Sequence, residues 1–267
     1  MSENKTVILA GLFIDSEEWL TRTKKFLDYY RPLKADLGFT EFVFIDNGSE
    51  EKWLNQIRAD DIHIHHFPDH LPKGRGARNY PYAWRNLYTV PSLFATLNID
   101  KAYFMDTDTF VLSDRLTKFM KAQVSGWTTF WCSKYSYPSA ELSILNSDAL
   151  LQLLEFMDTP EKDRHGQSFE NVLPYTVNPD FNVNRWGEDR LPIMSFMDAY
   201  TQCPTDFPLD YPAEVDLIDE MNILEIELSK TRRVLNDYRT SAVKATAGHT
   251  LRCMCNYCLT LAKHGGV

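Results

Sequence analysis

Four short apolar runs, separated by polar turns and helical patterns, constrain this chain more than any other feature. Those at residues 6–14, 41–45 and 102–105 are apolar throughout most of their length, and the third in chain order, at 61–67, is apolar only at alternate positions. After the first, Asp15 and Glu18 form a capping-box pattern, and Trp19, Leu20, Thr23, Phe26, Leu27 and Tyr30 recur at helical spacing. The second closes on Asp46-Asn47-Gly48-Ser49, where Asn-Gly supplies a turn and Ser49 is placed to cap a short helix. The third alternates Ile with His. Residues 71–80 have no periodicity and read as a loop, and Pro81 suits the first turn of a helix carrying Trp84, Leu87 and Tyr88. Strand alternating with helix is the pattern of a parallel sheet covered on both faces, so the expected class is α/β. Further on, residues 127–131 and 141–145 read as strands, 148–157 as a helix, 159–186 as irregular and 191–200 as a helix.

With 267 residues and 44% hydrophobic content, the chain can bury a full core. Its net charge of −9 argues against a nucleic-acid partner. No stretch is long and apolar enough to span a membrane, and the first residues lack a signal-peptide pattern, so a cytoplasmic setting is expected. Five cysteines argue against a full disulfide framework. From Ser229 onward there are seven Lys or Arg against one acidic residue, Asp237. The expected organisation is a main domain over 1–208 and a basic, partly helical extension over 209–267. That extension reads either as a solvated helix or as a peripheral contact with the inner face of an anionic membrane.

The sharpest chemical signal is Asp106-Thr107-Asp108, which follows the apolar run Ala102–Met105 and precedes Thr109-Phe110-Val111-Leu112. In extended backbone, side chains two apart point the same way. Ligands of open α/β sheets bind beyond the carboxyl ends of the strands. Two carboxylates aimed into such a crevice call for a positive charge between them, and a hard divalent cation shared with a diphosphate answers that. The alternative is a polar turn without further role.

The segment Lys101–Leu112 resembles the Asp-x-Asp region of glycosyltransferases with the GT-A fold, a Rossmann-type, mostly parallel sheet flanked by helices. Residues Val43–Ser49 resemble the second strand of that superfamily, and Ala140–Leu150 its acceptor-side strand and helix; together the likeness covers about residues 6–200. The resemblance implies a nucleotide-sugar donor, UDP- or GDP-linked, and a glycan or lipid-linked glycan acceptor. It implies that Asp46 contacts the nucleobase or ribose and that Phe13 lies near the base. Asp106 would lie at the ribose or reach the metal through water, and Asp108 would bind the metal directly. The ion would be Mn2+ or Mg2+.

Lys73, Arg75 and Arg78 lie in a glycine-punctuated loop, with Arg85 in the helix beyond it. Arg75 and Arg78 are the candidates for holding a diphosphate, since arginine offers a planar donor fork; a solvated surface loop is the other reading. An inverting transferase needs a carboxylate to take the acceptor's proton. Asp189, with Glu188 beside it, resembles the family's base, with capping of a helix N-terminus as the competing role. Glu141 is the next candidate, and a retaining enzyme would need no such base. His249, ahead of His264, is the candidate third metal ligand. The cluster His63, His65, His66 and His70 reads as a solvated face. Cys253, Cys255 and Cys258 read either as buried thiols or as part of a zinc site. The function expected is metal-dependent, inverting transfer of a single sugar. The alternatives are a sugar-phosphate nucleotidyltransferase and a non-catalytic nucleotide-sugar or glycan-binding module.

Overall fold

A computed structural model describes residues 4–71, 81–132, 137–158, 172–182, 184–185 and 198–201. Strand β1 (Thr6–Leu12) lies inside a seven-stranded sheet with β2 (Glu41–Asp46), β3 (Ile62–His66), β4 (Lys101–Met105), β6 (Trp127–Cys132), β7 (Tyr137–Asn146) and β8 (Thr176–Asn182). The strand order is β3-β2-β1-β4-β7-β6-β8. Strands β1 to β4 run parallel, β7 runs antiparallel to both β4 and β6, and β8 is parallel to β6. A second sheet of three strands joins β5 (Phe110–Val111), β9 (Asn184–Arg185) and β10 (Ala199–Thr201) in the order β5-β10-β9. This is the α/β class expected from the alternating runs.

The central strands are buried on both faces, and their residues alternate between two packing layers. Val7 and Leu9 of β1 and Val43 and Ile45 of β2 pack with Leu87, Val90, Leu93 and Phe94 of α4 (Pro81–Leu97) and with Leu153 of α6 (Leu150–Met157). On the other side, Phe42 and Phe44 meet Phe26 of α1 (Glu17–Tyr30), with ring centroids 6.3 and 6.4 Å apart. Helices α2 (Lys34–Leu37), α3 (Glu51–Leu54) and α5 (Asp114–Ala122) complete the described set.

Local chemistry sets several boundaries. Helix α1 is capped by Ser16, whose Oγ accepts from Trp19 N; Ser16 is extended (φ −150°, ψ 164°), so the cap falls one residue after the Asp15 expected from the sequence. Ser49 does not cap α3 either, because its hydroxyl is committed to Asp46 and to Ile14 N. Helix α4 carries Pro91 internally and ends where Asn98 turns left-handed (φ 53°), a conformation Asn tolerates better than most residues. Beyond α6 the sequence misled. Residues 176–182, expected to be irregular, form β8, and Ala199 and Tyr200, assigned to a helix, belong to β10. Pro and Asn residues masked the first strand, and pairing with the two-residue β5 overrode local pattern in the second. The expected extension over 209–267 lies outside the described residues.

Candidate functional site

The chain's strand order reverses at β1. From β1 the order runs to β2 and β3 on one side, while β4 lies on the other, so β1 and β4 flank a topological switch point. Crevices beyond the carboxyl ends of strands at such a point are the usual ligand sites of open α/β sheets. A cavity of about 330 Å³ lies there. Its walls are Gly11, Leu12 and Phe13 from the end of β1, Asn47 from the turn after β2, and Asp106, Thr107 and Asp108 from the end of β4. Trp19 and Arg22 of α1, His70, Leu71, and Tyr82 and Asn86 of α4 complete it.

The Asp106–Asp108 segment leaves β4 as a turn, in which Thr109 N donates to Asp106 O at 3.0 Å. The two carboxylates therefore reach one cavity through a turn and not through the extended spacing expected from sequence. Asp106 N still donates to Glu141 O at 3.2 Å, which holds the turn against β7. Asp106 is exposed, whereas Asp108 is half-buried and forms an ion pair with Arg22, Nη1 to Oδ2 at 2.9 Å. Burial pushes the Asp108 carboxyl above the usual carboxylate range, and the Arg22 guanidinium opposes that.

Two tyrosines of α1 fix the far end of this turn. The fully buried Tyr30 hydroxyl donates to Thr109 O at 3.0 Å and accepts from Val111 N at 2.9 Å. Tyr29 donates to Val111 O at 2.6 Å. Tyr30→Phe strands a buried N–H and a buried carbonyl next to Asp108. We expect a loss of about 2 kcal/mol, measured by denaturant unfolding.

Asp46 is fully buried and does not line the cavity. Its carboxylate accepts from Gly48 N (3.1 Å), Ser49 N (3.0 Å) and His66 Nδ1 (2.7 Å), and also from Ser49 Oγ. Ser49 Oγ in turn accepts from Ile14 N at 2.7 Å, so this cluster ties the end of β1 to the end of β2. Gly48 is required here. Its φ is +92°, and a Cβ would meet His70 N at 2.6 Å. The cavity wall at this point is Asn47, whose amide exchanges hydrogen bonds with the backbone of Leu71 at 3.1 and 3.2 Å. Arg85 braces the same amide, contacting Asn47 Oδ1 and donating to Asp69 O at 2.9 Å.

Phe13 does line the cavity, stacked on the His70 ring with centroids 3.9 Å apart. Two members of the histidine cluster thus have roles that a solvated face does not describe: His66 serves Asp46, and His70 covers Phe13. Gly11 and Asn86 form a close approach that sequence reading missed, since a Cβ on Gly11 would lie 2.4 Å from Asn86 Nδ2. Arg22 was also missed, because it sits in an ordinary amphipathic pattern. Its only sequence signal is Trp19 three residues earlier, over whose ring the guanidinium lies at 4.3 Å. Glu141 is buried on β7 and accepts from Ser139 Oγ at 2.9 Å. Arg75, Arg78, Glu188, Asp189, His249 and the three C-terminal cysteines lie outside the described residues. Among the described residues, no group of three or more His, Cys, Asp or Glu is placed to hold a metal.

No protein-family model matches this chain, and neither does any curated protein sequence. Among solved structures, it is similar to the galactosyltransferase LgtC in complex with donor and acceptor sugar analogues. That likeness has a TM-score of 0.50 at 13% identity and covers 84% of this chain and 95% of that one. A glycosyltransferase involved in glycosylation of the major capsid of PBCV-1 matches with a TM-score of 0.43 at 13% identity, over 75% of this chain and 94% of that one. A structure from Bacillus anthracis named for a glucose-1-phosphate thymidylyltransferase matches with a TM-score of 0.39 at 10% identity, over 63% of this chain and 80% of that one. The LgtC likeness shows a GT-A-type α/β fold, as the Asp-x-Asp segment implied, and at this identity nothing finer.

Proposed function

We propose that this chain is a glycosyltransferase that holds a nucleotide-sugar donor in the cavity between β1 and β4 and passes its sugar to a glycan acceptor. One observation carries the reading: Asp106, Asp108, Phe13 and Asn47, from the ends of three parallel strands, line a single cavity at the switch point of a GT-A-type sheet. In LgtC, a protein of this fold, the solved complex holds donor and acceptor sugar analogues.

Phe13 suits a nucleobase by stacking, while the Asn47 amide, committed to Leu71 and Arg85, shapes the wall beside it. Leu71 and Tyr82, which flank the basic loop, both line the cavity, and this supports the placing of Arg75 and Arg78 on the donor diphosphate. The donor set fits Mn2+ or Mg2+. Two carboxylates leave room for waters and diphosphate oxygens, as a hard cation of this size requires. Such an ion, when bound, would supply positive charge for the departing diphosphate. Asp108 and Asp106 would hold it, with His249 as the proposed third ligand. An acceptor hydroxyl loses its proton during transfer, and we assign that role in an inverting reaction to Asp189, with Glu188 or the buried Glu141 as alternates.

A panel of UDP- and GDP-sugars, each with Mn2+ and with or without a chelator, tests the reading. Release of nucleoside diphosphate from one donor, abolished by the chelator, is the expected result. Pyrophosphate release from a nucleoside triphosphate plus a sugar phosphate would instead mark a nucleotidyltransferase, and tight donor binding with no turnover would mark a binding module. No helix among the described residues is long and apolar enough to cross a membrane. We assign any lipid-linked acceptor to a peripheral contact through the basic segment from Ser229 onward.

A further inference from the structure

Arg22 sits where the donor-site reading leaves no place for it. It belongs to α1, lines the cavity and holds Asp108 at 2.9 Å. The contact is a single one, Nη1 to Oδ2, and a divalent cation at the other Asp108 oxygen would bring a second positive charge close to the guanidinium, where the two repel. We infer that Arg22 is an exchangeable counter-ion: it neutralises Asp108 when no cation is bound there and passes to the donor diphosphate when a divalent cation takes Asp108. The inference rests on the proposed donor site.

Three features favour two positions for this side chain. The Asp108-bound position leaves Arg22 Nε buried with no hydrogen-bond partner, a cost that a second acceptor would relieve. The guanidinium lies over the Trp19 ring at 4.3 Å, and Trp19, an exposed aromatic at 40%, is itself part of the cavity wall. A flat aromatic face supports a planar cation without fixing it to one acceptor. Finally, a guanidinium presents a fork that matches carboxylate and phosphate equally well, so the exchange preserves its hydrogen bonding. The consequence is coupling: cation and diphosphate bind together more readily than the cation binds alone.

The test uses the full chain, its Arg22→Met variant, which keeps an apolar stem over Trp19, and its Arg22→Lys variant. Mn2+ alone is titrated by the electron paramagnetic resonance of the free ion. UDP and GDP are then titrated calorimetrically with Mn2+ present. Arg22→Met is expected to bind Mn2+ alone about tenfold more tightly than the parent and the nucleoside diphosphate about tenfold more weakly. Arg22→Lys should keep most of the diphosphate affinity. Opposite signs in the two titrations separate this role from a structural one, since local damage weakens both. If the parent binds UDP or GDP but Arg22→Met leaves Mn2+ affinity unchanged or lower, the inference about Arg22 is overturned and the donor site stands. If the parent binds neither nucleotide with Mn2+, the donor site falls and the inference with it.

Discussion

Asp108→Asn is expected to lower sugar transfer about 1,000-fold while leaving the chain folded, because it removes one charge from the carboxylate assigned to the metal and diphosphate. The replacement keeps the size of the side chain, and the remaining carbonyl oxygen still accepts from Arg22, which now donates at 2.9 Å. Melting temperature should therefore change by no more than about 3 °C. The comparison with Asp106→Asn matters as much. Asp106 is exposed and stands at the mouth of the turn, whereas Asp108 is half-buried and ion-paired. Asp106→Asn is expected to cost less, about 30-fold, consistent with a role through water or ribose. Initial rates at saturating donor, with Mn2+ varied, check both variants. Equal losses would remove the division of roles between the two carboxylates.

Asp46→Ala is expected to be the most destabilising single change at the site. The fully buried carboxylate accepts from two backbone N–H groups, from Ser49 Oγ and from His66. Its removal leaves the buried Ser49 N–H and hydroxyl without their acceptor and takes a partner from Gly48 N and His66, at a cost of about 3 kcal/mol. Melting temperature should fall by roughly 8 °C. Function should fall as well, by an indirect route. Ser49 holds Ile14 N at 2.7 Å, and Ile14 follows Phe13, so a released Ser49 loosens both the Phe13 and the Asn47 walls. Donor affinity is expected to drop about tenfold, an ordinary effect for a displaced contact. Calorimetric unfolding and donor titration on the same preparation read the two effects together.

The contrast between Asp46 and Asp108 shows what the sequence could and could not say. Apolar runs with carboxylates at their ends are visible in one dimension, because burial of a parallel strand demands a continuous apolar segment. That is why β1, β2 and β4 and the place of Asp106-Thr107-Asp108 at a strand end were legible, although the turn those residues make was not. Whether a carboxylate at a strand end faces a ligand or serves its own turn depends on hydrogen bonds to Gly48, Ser49 and His66, the last of them twenty residues away in β3. No local pattern encodes that pairing. Arg22 was hidden for a related reason: its partner is 86 residues distant, on another element. Strand β10 was misread because its pairing with β5 is settled by tertiary contact, where propensity is a weak guide.

The histidines teach the same lesson from the other side. Alternation of Ile and His along β3 correctly describes a strand at the edge of the sheet. It does not reveal that His66 completes the Asp46 cluster or that His70, beyond the strand, stacks on Phe13 at 3.9 Å. Both contacts form only when β3 lies parallel to β2, in the register that sets Asp46 opposite His66.

The central claim is that the cavity between β1 and β4 holds the donor. Crystals soaked with Mn2+ and the nucleoside diphosphate of the preferred donor, measured at the manganese absorption edge, test it most directly. We expect one anomalous peak beside Asp106 and Asp108, diphosphate density bridging it to Arg22, and a base against Phe13. A nucleotide bound with its diphosphate away from both carboxylates, or a manganese peak elsewhere on the chain, would contradict it.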